Sequence, residues 1–380
     1  METEFMSSGA NHNCAPITHI YLHIPFCARI CPYCAFYKER GDSSQTERFC
    51  EALLRELDER RNKLDLKLET IFIGGGTPTA LTTKQLGCLL GGLRDRLDLS
   101  GLKEWTVEAN PGSVSPRKAE LLRSMGVSRI SLGVQSWDVE LLKLLGREHD
   151  VLQAEESFRI VREAGFNNLN IDLMFGLPGQ TKKQWESTVE KTIVLGPEHI
   201  STYCLTYEED TEFFARQQRG EFQEDPDSDA LFLETAMRLL EGAGFEHYEI
   251  SNYAQEGYAS SHNRGYWAGE DYLGIGPSAF STIGFERYQN VCDYRRYSDL
   301  VLAGESPISS SEALTVEMKR GERIALALRT GRGIPSTELT RWPNECREFE
   351  ELGLLHQVDG HHVLTRRGRL LADTVAGAFV

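Results

Sequence analysis

A fourth cysteine is missing from the one place where cysteines gather. Cys27, Cys31 and Cys34 stand in HIPFCARICPYCAFYK at Cys-x3-Cys-x2-Cys spacing, and no fourth follows nearby. The second paired knuckle of most structural zinc sites is also absent. Positive charge is scarce: 41 Lys and Arg against 57 Asp and Glu leave a formal net charge of −16. That argues against broad nucleic-acid binding, which needs basic surface. No run approaches the ~18–20 apolar residues of a transmembrane segment. The opening METEFMSSGANHNCAPI has neither the apolar core of a secretory signal nor the arginine of a mitochondrial presequence. Residues 1–16 read as a loose tail, and the chain reads as cytoplasmic.

What is present describes a soluble globular protein. The 380 residues are 40% hydrophobic and 26% charged, enough for a large core without disulfide staples. That length allows two or three domains, or one large α/β barrel with an appendix. The cysteine count is nine, an odd number, with Cys14, Cys50, Cys88, Cys204, Cys292 and Cys346 scattered. A reducing compartment fits better than a disulfide framework.

Strand and helix signals alternate through the first two-thirds. Apolar runs at 19–24, 70–73, 105–108, 129–133, 169–174 and 199–205 read as six strands, separated by amphipathic helical stretches. Ser115-Pro116 is a helix start, and Gly126 the matching stop. Six such units imply a parallel sheet with right-handed crossovers, whose active site lies at the carboxyl ends of the strands. The cysteine loop, Gly74–Gly76, Glu108, Gln135 and Asp172 all fall at or near predicted strand ends, so they are expected to share one mouth.

Beyond residue 220 the pattern breaks. A helix near 229–241 and a strand at 246–250 are expected, then an irregular Gly-, Tyr- and Ser-rich stretch over 251–305. Residues 306–380 read as a separate module: helical signals at 316–329 and 336–339, a helix ending at Gly353, and strands flanking the Asp359-Gly360 turn. Helices followed by a hairpin suggest a small winged-helix-like domain. The acidity makes it a packing domain and not a DNA reader.

The cysteine triplet admits three readings: a zinc site with Cys14, Cys50 or His23 as fourth ligand, incidental cysteines, or an iron–sulfur cluster. The compact triplet after a strand favours the cluster. Three thiolates hold three irons of a four-iron cluster and leave the fourth open, unlike the four-thiolate clusters of electron relays.

The loop resembles that of the radical S-adenosylmethionine (SAM) enzymes. That resemblance implies a partial (β/α)6 barrel, an open iron chelated by SAM, and homolytic chemistry carried by the cofactors. The ordered blocks Tyr21-x-His23-Ile24-Pro25-Phe26-Cys27, Gly74-Gly75-Gly76-Thr77-Pro78-Thr79, Glu108-Ala-Asn110-Pro111-Gly112, Gly133-Val134-Gln135-Ser136, Leu145-Gly146-Arg147, Asp172-Leu173-Met174 and Gly176-Leu177-Pro178-Gly179 narrow it. They are similar to the oxygen-independent coproporphyrinogen oxidase branch and its relatives, the HemW heme chaperones. The resemblance spans about residues 17–370. It implies SAM contacts at Tyr21, Tyr33, Gly75, Gly76, Thr77, Glu108, Gln135, Arg147 and Asp172, with Cys27, Cys31 and Cys34 on iron.

Two departures separate the chain from the oxidases. They carry a further cysteine two residues past the triplet, where this chain has Phe36, and they have a longer N-terminal extension than the 26 residues preceding Cys27. A third feature points to heme: His262-Asn263-Arg264-Gly265-Tyr266-Trp267 matches the His-Asn-x-x-Tyr-Trp motif of the HemW group. Histidine serves as an axial heme ligand, and aromatic rings stack on porphyrins. His262, Asn263, Tyr266 and Trp267 are the expected heme contacts. The expected role is a heme chaperone that delivers heme to respiratory or other heme proteins, with an outside electron donor. The alternatives are oxidative decarboxylation of coproporphyrinogen III, and a radical reaction on some unrelated small substrate.

Overall fold

The computed structural model describes residues 15–41 and 43–379. Most of the expected tail, and Cys14 with it, lies outside the described residues. Six parallel strands form the centre: β1 (Ile17–Ile24), β2 (Leu66–Gly75), β3 (Glu104–Ala109), β4 (Arg129–Gln135), β5 (Leu169–Phe175) and β6 (His199–Cys204), adjacent in sequence order. Each step is bridged by helix: α1 (Ser43–Arg61), α2 (Thr83–Arg94), α3 (Pro116–Ser124), α4 (Val139–Leu144) and α5 (Val151–Glu163) together, then α6 (Lys182–Leu195). The helices start where their sequences allow it. Thr82, Asp150 and Thr181 each close a capping box with a glutamine three residues on, and Ser115 caps α3 ahead of Pro116.

The sheet extends well past these six strands. After α7 (Glu212–Gln218) and α8 (Pro226–Gly242), β7 (Glu246–Glu249) and β8 (Asn252–Ala254) close one edge antiparallel beside β6. Helix α9 (Ser261–Trp267) follows, and then β9 (Tyr272–Ile275) returns to pair in parallel with β1. Strands β10 (Phe280–Ile283), β11 (Glu286–Asn290) and β12 (Ile308–Ala313) carry that edge outward, with α10 (Tyr294–Ala303) between the last two. The expectation of an irregular stretch over 251–305 is therefore corrected: it contains two helices and most of a four-strand extension. Four- and five-residue strands interrupted by glycines are too short for periodicity to register.

The last segment has its own apolar core, with Ile324, Leu328, Leu354, Val375 and Phe379 buried together. It comprises α11 (Val316–Leu328), α12 (Pro343–Glu351) and the hairpin of β14 (Leu355–Val358) and β15 (His361–Leu364), with β13 (Ile334–Pro335) added to β15. Asp359 and Gly360 both have positive φ, 50° and 77°, as the two-residue hairpin turn requires.

Strand alternation decides what faces the inside of the curved sheet. His19, Tyr21 and His23 of β1 lie level with Thr70, Phe72 and Gly74 of β2. In parallel register such partners share a face. Helix α9 closes the lower end of this interior. The buried Glu104 carboxylate at the start of β3 accepts from Ser261 N (2.8 Å), His262 N (3.3 Å) and Ser260 Oγ (3.1 Å). A carboxylate on a helix's first N–H groups offsets their missing partners and the positive dipole end. Glu104→Ala strands these buried donors. Chemical denaturation of the variant is expected to show a loss of about 1–3 kcal/mol.

Candidate functional site

The cysteine loop leaves β1 and arches over the sheet's carboxyl edge. A two-residue pairing of Phe26–Cys27 with Glu39–Arg40 pins its two ends. Beneath it opens a cavity of about 520 Å³. Cys27, Cys31, Cys34, Tyr33, Gly75, Gly76, Thr77, Glu108, Gln135, Arg147 and Asp172 all line it. These residues come from six separate parts of the chain; five lie near the carboxyl end of a parallel strand or in the loop just after one, and Arg147 reaches in from the turn between α4 and α5.

Two further contacts draw the thiols into the polar network. Cys27 Sγ lies 3.6 Å from Thr77 Oγ1, and Arg147 Nη1 donates to Cys31 Sγ at 3.5 Å. Arg147 Nη2 also donates to Asn110 Oδ1 (2.6 Å) and to the Gly133 carbonyl (2.7 Å). Asn110 Nδ2 in turn donates to Thr77 Oγ1 at 2.7 Å. Asn110, in the Glu108-Ala-Asn110-Pro111-Gly112 block, is a site residue that sequence reasoning missed. Its position two residues after Glu108, hence on the same side of the chain's strand direction, was the available signal.

Glycine at 75 is demanded by geometry. Its φ is +104°, and a Cβ there would sit 2.5 Å from the His23 ring. A Cβ on Gly76 would meet the Pro25 backbone at 2.7 Å. The His23 ring is itself held at both nitrogens. Nε2 donates to the Tyr37 carbonyl at 2.9 Å, so Nδ1 accepts from the Tyr21 hydroxyl at 3.1 Å. Burial lowers the His23 pKa to about 4, so the ring stays neutral. Tyr21 thus lies one layer below the cavity and supports it through His23.

Gln135 is the strained residue of the site. Its φ of 70° lies in the left-handed region, at a break in register between β4 and β5. Such a bulge re-aims a side chain. The Gln135 amide turns back over Gly133, where a Cβ would meet Nε2 at 3.0 Å.

Two carboxyls share the cavity wall. Glu108 Oε2 accepts from Gly75 N at 3.1 Å. Asp172 accepts from Ser131 Oγ (2.9 Å) and Asn170 Nδ2 (2.7 Å). Burial first, then the charge of Asp172, raises the Glu108 pKa to about 8. Burial also raises Asp172, against its hydrogen bonds. The buried Arg129 cation offsets only part of these shifts, so the pair suits a ligand that brings a further positive charge.

The thiols suit a cluster better than a single ion. Among the described residues, no three His, Cys, Asp or Glu side chains are grouped to hold one metal ion. His23 and Cys50 do not supply a fourth zinc ligand: His23 is engaged at both nitrogens, and Cys50 is buried in the main core. Burial pushes the Cys27 thiol up to about 11. Bound iron inverts that preference by holding the thiolate.

The His262–Trp267 block lies elsewhere, on α9 at the lower end of the interior. His262 is buried, 3% exposed, and burial lowers its pKa to about 3. Its Nδ1 lies 2.7 Å from Thr70 Oγ1, which is also 2.7 Å from His19 Nδ1. His19 Nε2 completes the chain to Glu270 at 2.7 Å. Tyr266 reaches the surface at 38% exposure and packs on Tyr272 at 4.3 Å between ring centres. Trp267 lies edge-on to Tyr248, and Asn263 is half-buried.

Glu108 gives a pH signature. Its carboxyl ionises less readily in the folded chain than in the unfolded one, so its contribution is complete below about 4.5 and lost as pH rises through about 8. Glu108→Gln removes this loss. In denaturation of the cluster-free protein, the variant's advantage is expected to grow across that window, by at most about 1.4 kcal/mol per pH unit.

Comparison with known proteins agrees with this geometry. The family model described as the radical SAM superfamily matches residues 21–192. The heme chaperone HemW of Bacillus subtilis (strain 168) is 37% identical over 374 residues, 95% of this chain and 98% of that protein. HemW of Escherichia coli (strain K12) is 39% identical over 275 residues, 71% of each chain. Among solved structures, the coproporphyrinogen III oxidase (HemN) from Escherichia coli, a radical SAM enzyme, superposes with a TM-score of 0.81. It covers 96% of this chain and 90% of its own at 23% identity, a likeness of fold. With the strand-end cavity, the cysteine triplet and identity along nearly the whole length, the chain belongs to the HemW heme chaperone family of the radical SAM superfamily.

Proposed function

We propose that the protein is a heme chaperone: it binds heme, carries a SAM-ligated [4Fe–4S] cluster, and delivers heme to heme proteins, respiratory ones among them. The observation that carries this reading is 37% identity to a curated heme chaperone across 98% of that protein's length. Phe36 supports it, because the oxidases' extra cysteine is absent there.

Cys27, Cys31 and Cys34 would ligate three irons, leaving one for SAM. The cluster supplies single electrons when bound; the reductant is an outside donor. The chain's residues bind and orient. Glu108 and Asp172 receive an ammonium and ribose hydroxyls, and the Arg147 guanidinium takes a carboxylate. Gly75 and Gly76 let the ligand approach backbone. Gln135 and Thr77 add polar contacts, while Tyr21 and Tyr33 brace the wall. For heme we keep the α9 motif, with Tyr266 as its contact ring, Asn263 and Trp267 beside it, and His262 holding the helix through Thr70 or turning to iron. No helix among the described residues is long and apolar enough to cross a membrane; we place the protein in the cytoplasm.

The test uses anaerobically reconstituted protein. Hemin titration is expected to show tight, stoichiometric binding and transfer to an apo heme protein, with no conversion of coproporphyrinogen III given SAM and reductant. Conversion at an enzyme-like rate without tight hemin binding would establish the oxidase reading instead. Cys31→Ala is expected to lose the four-iron cluster, read by iron content and visible absorbance. Retention of a normal cluster and SAM binding would remove the site assignment.

A further inference from the structure

Two buried histidines share one hydroxyl at the lower end of the interior. Thr70 Oγ1 lies 2.7 Å from Nδ1 of His19 and 2.7 Å from Nδ1 of His262, and all three residues are buried. The sheet register puts His19 of β1 level with Thr70 of β2, and α9 supplies the second ring. On its other side His19 Nε2 meets the carboxylate of Glu270, just past α9, at 2.7 Å. The α9 block is shaped around the His19 ring, since a Cβ on Gly265 would collide with it. Four side chains thus form one line, from Glu270, whose side chain is 52% exposed, to His262. At the inner end, His262 Nε2 has no hydrogen-bond partner among the described residues.

Hydrogen counting gives this line a direction. A hydroxyl has one hydrogen to donate. Thr70 gives it to one imidazole and must receive one from the other, so one of the two Nδ1 atoms carries a hydrogen and the other is bare. Distances alone leave the two arrangements equivalent, and Glu270 breaks the tie. An ionised carboxylate only accepts, so His19 Nε2 carries the hydrogen of that bond, and Nδ1 of the neutral ring is bare. Thr70 then donates to His19 and accepts from His262 Nδ1. Burial lowers the His262 pKa to about 3, so the ring is neutral and its single hydrogen points at Thr70. Nε2 is left as a lone pair. A ring nitrogen in that state accepts a metal ion or an N–H or O–H donor, and one carrying hydrogen accepts neither.

We propose that Glu270, His19 and Thr70 are positioning residues that set the His262 tautomer from the surface, so that Nε2 is the bare, ligand-accepting nitrogen while Nδ1 anchors the helix. Only the choice of ligand, the iron of a heme, rests on the heme-chaperone reading. A ligating histidine is ordinarily oriented through the hydrogen on its other nitrogen. Here that partner is a hydroxyl backed by a second imidazole and a carboxylate. Holding the helix and accepting a ligand are therefore compatible, and the ring need not turn to do both.

The experiment is nitrogen NMR of the full chain, labelled at histidine, reconstituted anaerobically and free of heme, at about pH 8.5, about two units above the ordinary imidazole pKa. His262→Gln assigns the His262 signals. His262 is expected as the Nδ1–H tautomer and His19 as the Nε2–H tautomer. Glu270→Gln offers an amide that donates as readily as it accepts, so His262 is expected to split between both tautomers. Thr70→Val cuts the line and is expected to do the same, while Thr70→Ser keeps the original spectrum. In hemin titrations Thr70→Val is expected to weaken binding about 10–100-fold, the size of a lost outer partner of a ligating histidine, and Thr70→Ser to spare it. Metal-free protoporphyrin IX has no iron to ligate and is expected to bind all these variants alike, whereas a merely structural loss would weaken both porphyrins. A hydrogen on His262 Nε2 in the unsubstituted protein, or a tautomer that Glu270→Gln and Thr70→Val leave unchanged, would overturn the relay and leave the chaperone reading in place. The expected tautomers in a protein that binds no hemin would uphold the relay and overturn the heme reading.

Discussion

The Arg147 guanidinium is the tie on which the upper end of this structure depends. One nitrogen reaches the thiol of Cys31 and the other bridges Asn110 and the Gly133 carbonyl. A planar fork reaches these partners from two separated nitrogens, a span that the single nitrogen of a lysine does not cover. The cysteine loop is rich in apolar residues but buries few of them: no residue from 27 to 40 is fully buried, and Ile30 and Phe36 lie exposed beside Arg29. Arg147 couples that loop to the ends of β3 and β4. It also leaves a buried cation beside the thiols, where the negative charge of an iron cluster held by Cys27, Cys31 and Cys34 would be favoured.

Below this tie, polar side chains fill the interior instead of the usual Val and Ile. Alternation along parallel strands forces a choice at every second residue, and here the inward set is His, Tyr, Thr, Glu, Asn and Asp. Each is costly to bury unpaired. The structure meets the cost through linked pairs: Tyr21 with His23, Thr70 with His19 and His262, Asp172 with Ser131 and Asn170. Glu108 is the exception. Burial, reinforced by the charge of Asp172, raises its pKa, and one backbone donor and the charge of Arg129 offset only part of that. A carboxyl left under-satisfied beside a cavity is poised for a cationic ligand.

Much of this was legible in the sequence, because the information is local. Apolar runs ending in glycine or in an acid locate the parallel strands, and the strand-end rule then gathers the cavity without any knowledge of distance. What stayed hidden depends on long-range pairing. The return of β9 to β1 pairs residues 253 positions apart, and a four-residue strand with one glycine inside it and another directly after it has no readable period. The bulge that turns Gln135 is likewise invisible, since glutamine has no local preference for positive φ. Asn110 could have been read from its spacing to Glu108. The burial of His262 could not, because a His-Asn-x-x-Tyr-Trp string looks the same on a surface loop and on a capped helix.

That burial changes what the motif means. The first residue of the block serves the fold: Glu104 holds the helix start at the Ser261 and His262 N–H groups, and Thr70 holds the His262 imidazole. Gly265 is equally structural, since a Cβ there would collide with the His19 ring at 2.2 Å. Only then does Tyr266 arrive on the inner face, against Tyr272 and in line with Phe72 and Tyr21. The histidine, the glycine and the tyrosine are therefore one device that presents a ring to the interior from below. Phe36 presents another from above, at the position where the oxidases keep a cysteine. Replacing a thiol by an exposed phenyl ring removes a reactive group and adds an apolar contact. Phe36, a departure from the oxidase pattern, and the α9 motif thus stand at opposite ends of the barrel, and each offers a ring to a flat apolar ligand.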